Sequence, residues 1–206
     1  MSESLSTPRI GVLAIQGDYE AHAKALTESG ATASLVRTAA ALEGLDGLVM
    51  PGGESTTMVK FLNRNGFLAA VQAFVADKPV FGTCAGAILL ATEVRDPTKP
   101  GEPQTSLAAL DITVERNAYG AQRDSAILNL ETTLPGGPLE AVFIRAPRII
   151  ATGPSVEILA ERDGFPVLIR QQRPQGDIMA ATFHPELSAD RRVHQFFVDE
   201  VIASKR

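Results

Sequence analysis

A chain of 206 residues that holds one cysteine, Cys84, cannot form an intramolecular disulfide, and this points to a reducing compartment. Clusters of Lys and Arg are missing as well. The 19 basic residues are outnumbered by 24 acidic ones, for a formal net charge of −5, so the electrostatic footprint of a nucleic-acid binder is lacking. No apolar run approaches the roughly 20 residues that span a bilayer. The most apolar stretch, residues 79–91, is interrupted by Gly and Thr. The first nine residues are polar and carry Glu3, unlike a secretory signal or transit peptide. Internal repeats and low-complexity segments are also absent. What remains is ordinary globular composition, 45% hydrophobic and 21% charged, in a length suited to one domain over residues 1–206. The expectation is a cytoplasmic protein without nucleic-acid or membrane partners and without a metal or cofactor.

Residues 10–15 form a short, unbroken apolar run, the pattern of a strand buried on both faces of a parallel sheet. Residues 20–29 place Ala21, Ala25 and Leu26 at helical spacing, and Gly30 supplies a stop. Residues 32–36 and 47–50 read as the next strands, joined by a short helical link at 39–45, and helices are expected at 56–63 and 67–76. A fourth strand at 79–82 leads into a helix at 87–92. This alternation predicts an α/β fold, an open, mostly parallel, doubly wound sheet covered on both faces. The texture changes at Arg95. Residues 96–103 carry three prolines and read as a surface loop. Short strand-like runs follow at 110–114, 126–130, 141–144, 156–160, 167–170 and 178–183, which predict an additional, mostly antiparallel portion. An amphipathic helix at 190–203 closes the chain.

Gly82-Thr-Cys-Ala-Gly86 has the form Gly-x-nucleophile-x-Gly between a buried strand and a helix, the pattern of a nucleophile elbow. The turn is strained and its flanks must be small, as Gly82, Ala85 and Gly86 are. The backbone N–H of Ala85 is then placed to meet an oxyanion. Taken alone, a single Cys beside glycines is more often an inert, buried residue. A thiol nucleophile also needs a base. His22 and His194 fall in helical segments where surface positions suffice to explain them. His184 ends an apolar run and precedes Pro185-Glu186, so in extended geometry His184 and Glu186 project to one side. Glu186 can then orient His184 while His184 deprotonates Cys84. Pro51-Gly-Gly-Glu-Ser55 follows the third strand and should face the same sheet edge as Cys84, with the Gly53 N–H as a second oxyanion donor. The competing reading is a tight turn with Ser55 or Thr56 as a helix N-cap. Phosphate binding is excluded there, because no Gly-Lys-Ser/Thr follows.

These motifs resemble the class I-type (triad) glutamine amidotransferases, and more narrowly the glutaminase subunits of pyridoxal 5′-phosphate synthases. Gly82-Thr-Cys-Ala-Gly86 and His184-Pro-Glu186 mark the wider group. Leu13-Ala-Ile-Gln-Gly17 also carries the resemblance, and Gly52-Gly-Glu-Ser-Thr-Thr57, Arg116-Asn-Ala-Tyr-Gly120 and Phe143-Ile-Arg-Ala-Pro147 select the narrower group. The resemblance implies that Cys84 attacks the side-chain amide of L-glutamine and that a γ-glutamyl thioester is then hydrolysed. Gly53, Glu54, Ser55, Arg116, Ile144 and Arg145 would hold the substrate. It implies ammonia delivery to a (β/α)8-barrel lyase subunit that makes pyridoxal 5′-phosphate, with Gln16 and Gly17 coupling partner docking to the oxyanion hole. Two departures stand out: Ala121 where an Arg is common, and no basic residue in residues 18–22. Three alternatives remain: the glutaminase component of another amidotransferase, a stand-alone thiol hydrolase of related fold, and a catalytically silent binding module.

Overall fold

The structure, a computed structural model, describes residues 6–99, 101–102, 104–117 and 125–205. Its centre is a seven-stranded sheet drawn from both ends of the chain. The first half supplies β1 (Arg9–Leu13), β2 (Thr32–Val36), β3 (Gly47–Met50) and β4 (Val80–Thr83). β5 (Ala91–Arg95), β6 (Leu110–Glu115) and β9 (Arg148–Thr152) form a separate three-stranded sheet, and β7 (Ala126–Leu130) pairs with β8 (Leu139–Phe143) as an antiparallel ribbon. The chain then returns to the main sheet with β10 (Val156–Arg162), β11 (Phe165–Gln171) and β12 (Ile178–Ala181), giving the order β10-β11-β12-β4-β3-β1-β2. The strands from β12 to β2 are mutually parallel, and β10 and β11 extend them antiparallel.

Side chains of successive strand residues point to opposite faces, so an unbroken apolar strand must be covered on both sides. On one face Leu13, Val36, Leu48, Met50, Val80 and Ile178 join a core with α2 (Ser55–Leu62), α3 (Phe67–Asp77), α4 (Ala85–Leu90) and the three-stranded sheet. On the other, Ile10, Val12, Val49, Phe81 and Met179 pack with α1 (Tyr19–Glu28), α5 (Arg192–Ala203) and the β7–β8 ribbon. Both faces are therefore buried, as the doubly wound reading requires.

Three details differ from expectation. The helix after Cys84 begins at Ala85 and stops at Leu90, so Thr92 lies in β5, which pairs with β6, and its hydroxyl donates to the Leu110 carbonyl. β5 and β9 are additional strands, each short and only partly buried, and so without a long apolar signature. The link at 39–45 is a 3-10 turn at Ala39–Leu42. No helix among the described residues is long and apolar enough to cross a membrane.

Candidate active site

Cys84 sits between β4 and α4 with φ +48° and ψ −104°, a left-handed backbone that a side chain adopts only under constraint. Its N–H donates to the carbonyl of Ala181, 2.8 Å away. The glycines on either side have no room for a methyl group. A Cβ on Gly82 would lie 2.6 Å from the backbone of Gly86, and one on Gly86 would lie 1.9 Å from the carbonyl oxygen of Met50. The elbow is thus wedged between β3 and its own helix, which fixes the cysteine where the sequence motif placed it.

β12 pairs directly with β4, Ala181 opposite Thr83, so the chain leaving β12 passes the elbow. His184 follows, tied by its N–H to the carbonyl of Val142 at 2.8 Å. Its Nδ1 lies 2.8 Å from Glu186 Oε1. The extended geometry expected here is not found: β12 ends at Ala181 and Glu186 belongs to a 3-10 turn at Pro185–Leu187 that begins from His184, where it is 4% exposed. Burial works against a charged His184, yet interactions with Cys84 and with Glu186 prevail and raise its pKa to about 10. The imidazole therefore favours its charged form between Cys84 and Glu186. Gly52 completes this corner. A Cβ there would meet His184 Cε1 at 2.7 Å and Cys84 Cβ at 3.4 Å, so only glycine lets the end of β3 touch both residues.

The loops after β1 and β3 are interlocked. Gly17, at φ +76°, would place a Cβ 2.3 Å from the Gly52 carbonyl oxygen, and Gln16 Oε1 accepts from the Glu54 N–H at 2.9 Å. Gly53 lies beneath Gln16 at φ +138°. Ala85, the first residue of α4, is fully buried. Contrary to the N-cap reading of Ser55 or Thr56, the cap of α2 is Glu54, whose carboxylate accepts from the N–H groups of Thr56 and Thr57. Partial burial tends to raise the Glu54 pKa, but these hydrogen bonds hold it at about 2, so the carboxylate is charged.

Arg116 reaches the same place. Its guanidinium lies 3.4 Å from Glu54 Oε1 and 3.5 Å from Asp96 Oδ2. It also donates to the side-chain oxygen of Gln104, whose amide nitrogen donates to the buried Ser55 hydroxyl at 3.0 Å. A cleft of about 520 Å³ opens here, lined by Glu54, Thr56, Lys60, Asp96, Gln104 and Arg116 among others. Ile144 and Arg145 follow β8 and are both exposed, with Arg145 at φ +45°. Val142, two residues before Ile144, accepts from the His184 N–H, but neither Ile144 nor Arg145 is among the residues that line the cleft. The motif after Arg116 and the departure at Ala121 fall at residues 118–124, outside the described residues.

Sequence reasoning missed Gln104, named Gly52 only as part of its motif and not for its contact with His184, and misplaced two histidines. His22 and His194 are not at the surface; both are fully buried, because α1 and α5 pack side by side on one sheet face and bring them together behind the triad. A histidine on the apolar side of each helix was the available signal.

A parallel sheet ending in a nucleophile elbow, with a His–Glu pair carried off the adjacent strand, defines the class of the triad glutamine amidotransferases. The family profile described as the SNO glutamine amidotransferase family matches residues 12–203. The chain belongs to that family, and it is accordingly a glutamine amidotransferase subunit with glutaminase activity. Its relatives include the pyridoxal 5′-phosphate synthase subunit PdxT of Koribacter versatilis, 53% identical over 193 residues that span 94% of this chain and 95% of that protein. The protein of the same name from Acidothermus cellulolyticus is 50% identical over 206 residues, covering 97% and 96%. Among solved structures, one described as a glutamine amidotransferase superposes with a TM-score of 0.82 at 43% identity, covering 93% of this chain and 98% of that one. A putative GMP synthase component from Thermoplasma acidophilum shares the fold alone, with a TM-score of 0.68 at 19% identity over 97% and 96% of the two chains.

Proposed function

We propose that the chain, acting as a single glutaminase unit, hydrolyses L-glutamine to L-glutamate and ammonia through Cys84, His184 and Glu186. It then hands the ammonia to the synthase subunit of a pyridoxal 5′-phosphate synthase. The observation that carries the reading is the Cys84 elbow, held at φ +48° beside a buried His184–Glu186 pair. Cys84 Sγ attacks the amide carbon while His184 takes the thiol proton. His184 then gives that proton to the departing nitrogen, which leaves as ammonia, and a γ-glutamyl thioester remains. Water, deprotonated by His184, cleaves the thioester; glutamate leaves and the thiol is restored. The N–H groups of Gly53 and Ala85 receive the negative oxygen in both steps.

Glutamine presents an ammonium and a carboxylate at its far end, and the cleft offers both complements. The charged Glu54 suits the ammonium, and Arg116 suits the carboxylate in a charge-assisted hydrogen bond. Ser55 anchors this end through Gln104, and the family resemblance adds Ile144 and Arg145. The names of the relatives support a pyridoxal 5′-phosphate synthase as the destination, and the partner expected is its (β/α)8-barrel lyase subunit. Gln16 and Gly17, locked against Gly52 and Glu54, transmit docking of that partner to the Gly53 oxyanion donor. A single thiol kept free suits the cytoplasm.

The test is ammonia release from glutamine by the isolated chain and by its mixture with the synthase subunit, wild type and Cys84→Ala. A large rise on mixing, abolished by Cys84→Ala together with covalent labelling by a glutamine-mimicking electrophile, is the expected result. Equal rates with and without the partner would favour a stand-alone hydrolase, and a turning-over Cys84→Ala variant would refute the nucleophile.

A further inference from the structure

Behind Glu186 lies a polar chain that glutamine hydrolysis as described above does not use. His22 on α1 puts Nε2 3.2 Å from Glu186 Oε2 and 3.1 Å from the hydroxyl of Thr83, the residue before the nucleophile. Its other nitrogen, Nδ1, is 3.0 Å from Nε2 of His194 on α5. The four residues are between 0% and 4% exposed, so they are closed off from bulk solvent. Buried polar groups must find their partners among themselves, and four of them are gathered at one spot beside the triad.

The protons can be placed from the contacts. Burial, together with the charges of His194 and His184, pushes His22 well below the ordinary histidine pKa. Burial, with help from Arg191, brings His194 to about 3. Both rings are neutral, and each carries one N–H. Nδ1 of His194 has no hydrogen-bond partner among the described residues, so its proton belongs on Nε2, which donates to His22 Nδ1. The His22 proton is thereby forced onto Nε2, where it faces Glu186 Oε2 and the Thr83 hydroxyl. Among the described residues Oε2 has no hydrogen bond of its own: the His22 N–H is bonded to the Thr83 hydroxyl and stands 3.2 Å from Oε2 as a dipole beside a charge, whereas Oε1 is engaged with His184.

We infer that His22 is a positioning residue of the glutaminase site, a neutral N–H that is anchored on Thr83 and set against the free oxygen of Glu186, so that the other oxygen stays aligned with His184. The choice of a neutral donor has a physical consequence. Lys or Arg at that point would pair with the carboxylate and compete for its charge, while an uncharged N–H fixes its rotation and leaves the full charge for the imidazolium that forms when Cys84 loses its proton. His194 in turn fixes the tautomer of His22. The chain of support runs His194, His22, Glu186, His184, Cys84, and crosses from α5 through α1 to the elbow.

The inference rests on the glutaminase reading, and its test separates the two. In the complex with the synthase subunit, His22→Leu removes the donor and His22→Gln keeps an N–H of similar reach. Expected is a kcat for glutamine lowered roughly 10- to 100-fold in His22→Leu, with KM within about twofold of wild type and a substantial part of kcat restored in His22→Gln. A general loss of structure would not spare KM or be rescued by Gln. Imidazole nitrogen NMR of the wild-type protein labelled with 15N-histidine tests the same point without any variant, and should show His22 as the neutral Nε2–H tautomer. Wild-type kcat in His22→Leu, equal kcat in the two variants, or a His22 proton on Nδ1 would overturn the inference. Failure of the wild-type complex to release ammonia would instead overturn the glutaminase reading.

Discussion

Gly86→Ala isolates the geometry of the elbow from its chemistry. The methyl group would start 1.9 Å from the carbonyl oxygen of Met50, and contacts under 3.0 Å are not tolerated, so the two must separate by about 1.1 Å. The obstacle is backbone of a central strand. Relief must therefore come from α4, whose six residues are all buried. Overpacking of this kind costs about 1–3 kcal/mol, and for a chain of this size each kcal/mol lowers Tm by roughly 2–4 °C. The catalytic effect should be larger. Retreat of α4 carries Cys84 and the Ala85 N–H with it, and misplacement by about 1 Å costs on the order of 10²-fold in rate. Thermal unfolding and ammonia release in the synthase complex measure the two effects on one sample. Gly30→Ala is the control, since Gly30 has φ +88° but nothing within 4 Å of the added methyl; it should lower stability slightly and leave turnover intact. A Gly86→Ala enzyme with wild-type kcat would refute the reasoning, as would equal loss of activity in Gly30→Ala.

His184→Asn should lose at least the roughly 10²–10⁴-fold that a positioned general base supplies, and Glu186→Gln should lose less, because it acts on the imidazole and not on the substrate; steady-state kinetics that rank them in the opposite order would reverse the two roles. Glu54 is held at about 2 from an ordinary value of 4.5, so the stability it contributes is present above pH 4.5 and is lost as pH falls towards 2. Glu54→Gln should flatten that part of the acid-unfolding curve, and an unchanged curve would show that the carboxylate is not engaged. Arg145→Met should raise the KM for glutamine strongly with little change in kcat, even though Arg145 is exposed here; an unchanged KM would remove it from the substrate site.

β1, β3 and β4 were legible because each is a short apolar run that ends close to Gly or Pro, the pattern of burial on two faces, whereas β2 alternates, with Thr32 and Ser34 exposed and Val36 buried. Residues 91–95 gave no such signal. They follow α4 without a break, and only Ala91 is fully buried. Residues 148–152 were hidden for the same reason, with Ile149 their one fully buried side chain. In the site, Cys84, His184 and Glu186 could be read from local spacing, because an elbow and an i, i+2 pair are local devices. Arg116 and Arg145 came only from resemblance to a family, since nothing in their neighbourhood sets them apart from other arginines. The pairing of His22 with His194 spans 172 residues and depends on two helices docking side by side, which no local pattern encodes.

The neighbouring of β4 and β12 in the sheet also sets the order in which the protein becomes reactive. The thiol is carried by the first half of the chain, whereas its base and the carboxylate behind it come after Ile178. Contacts this distant in sequence form late, once the intervening loop has been closed. A growing chain, or one cut before β12, therefore carries Cys84 without the partner that arms it. On the proposed roles, Cys84 gains its base only when β12 completes the sheet, and a molecule that stops short of β12 lacks it.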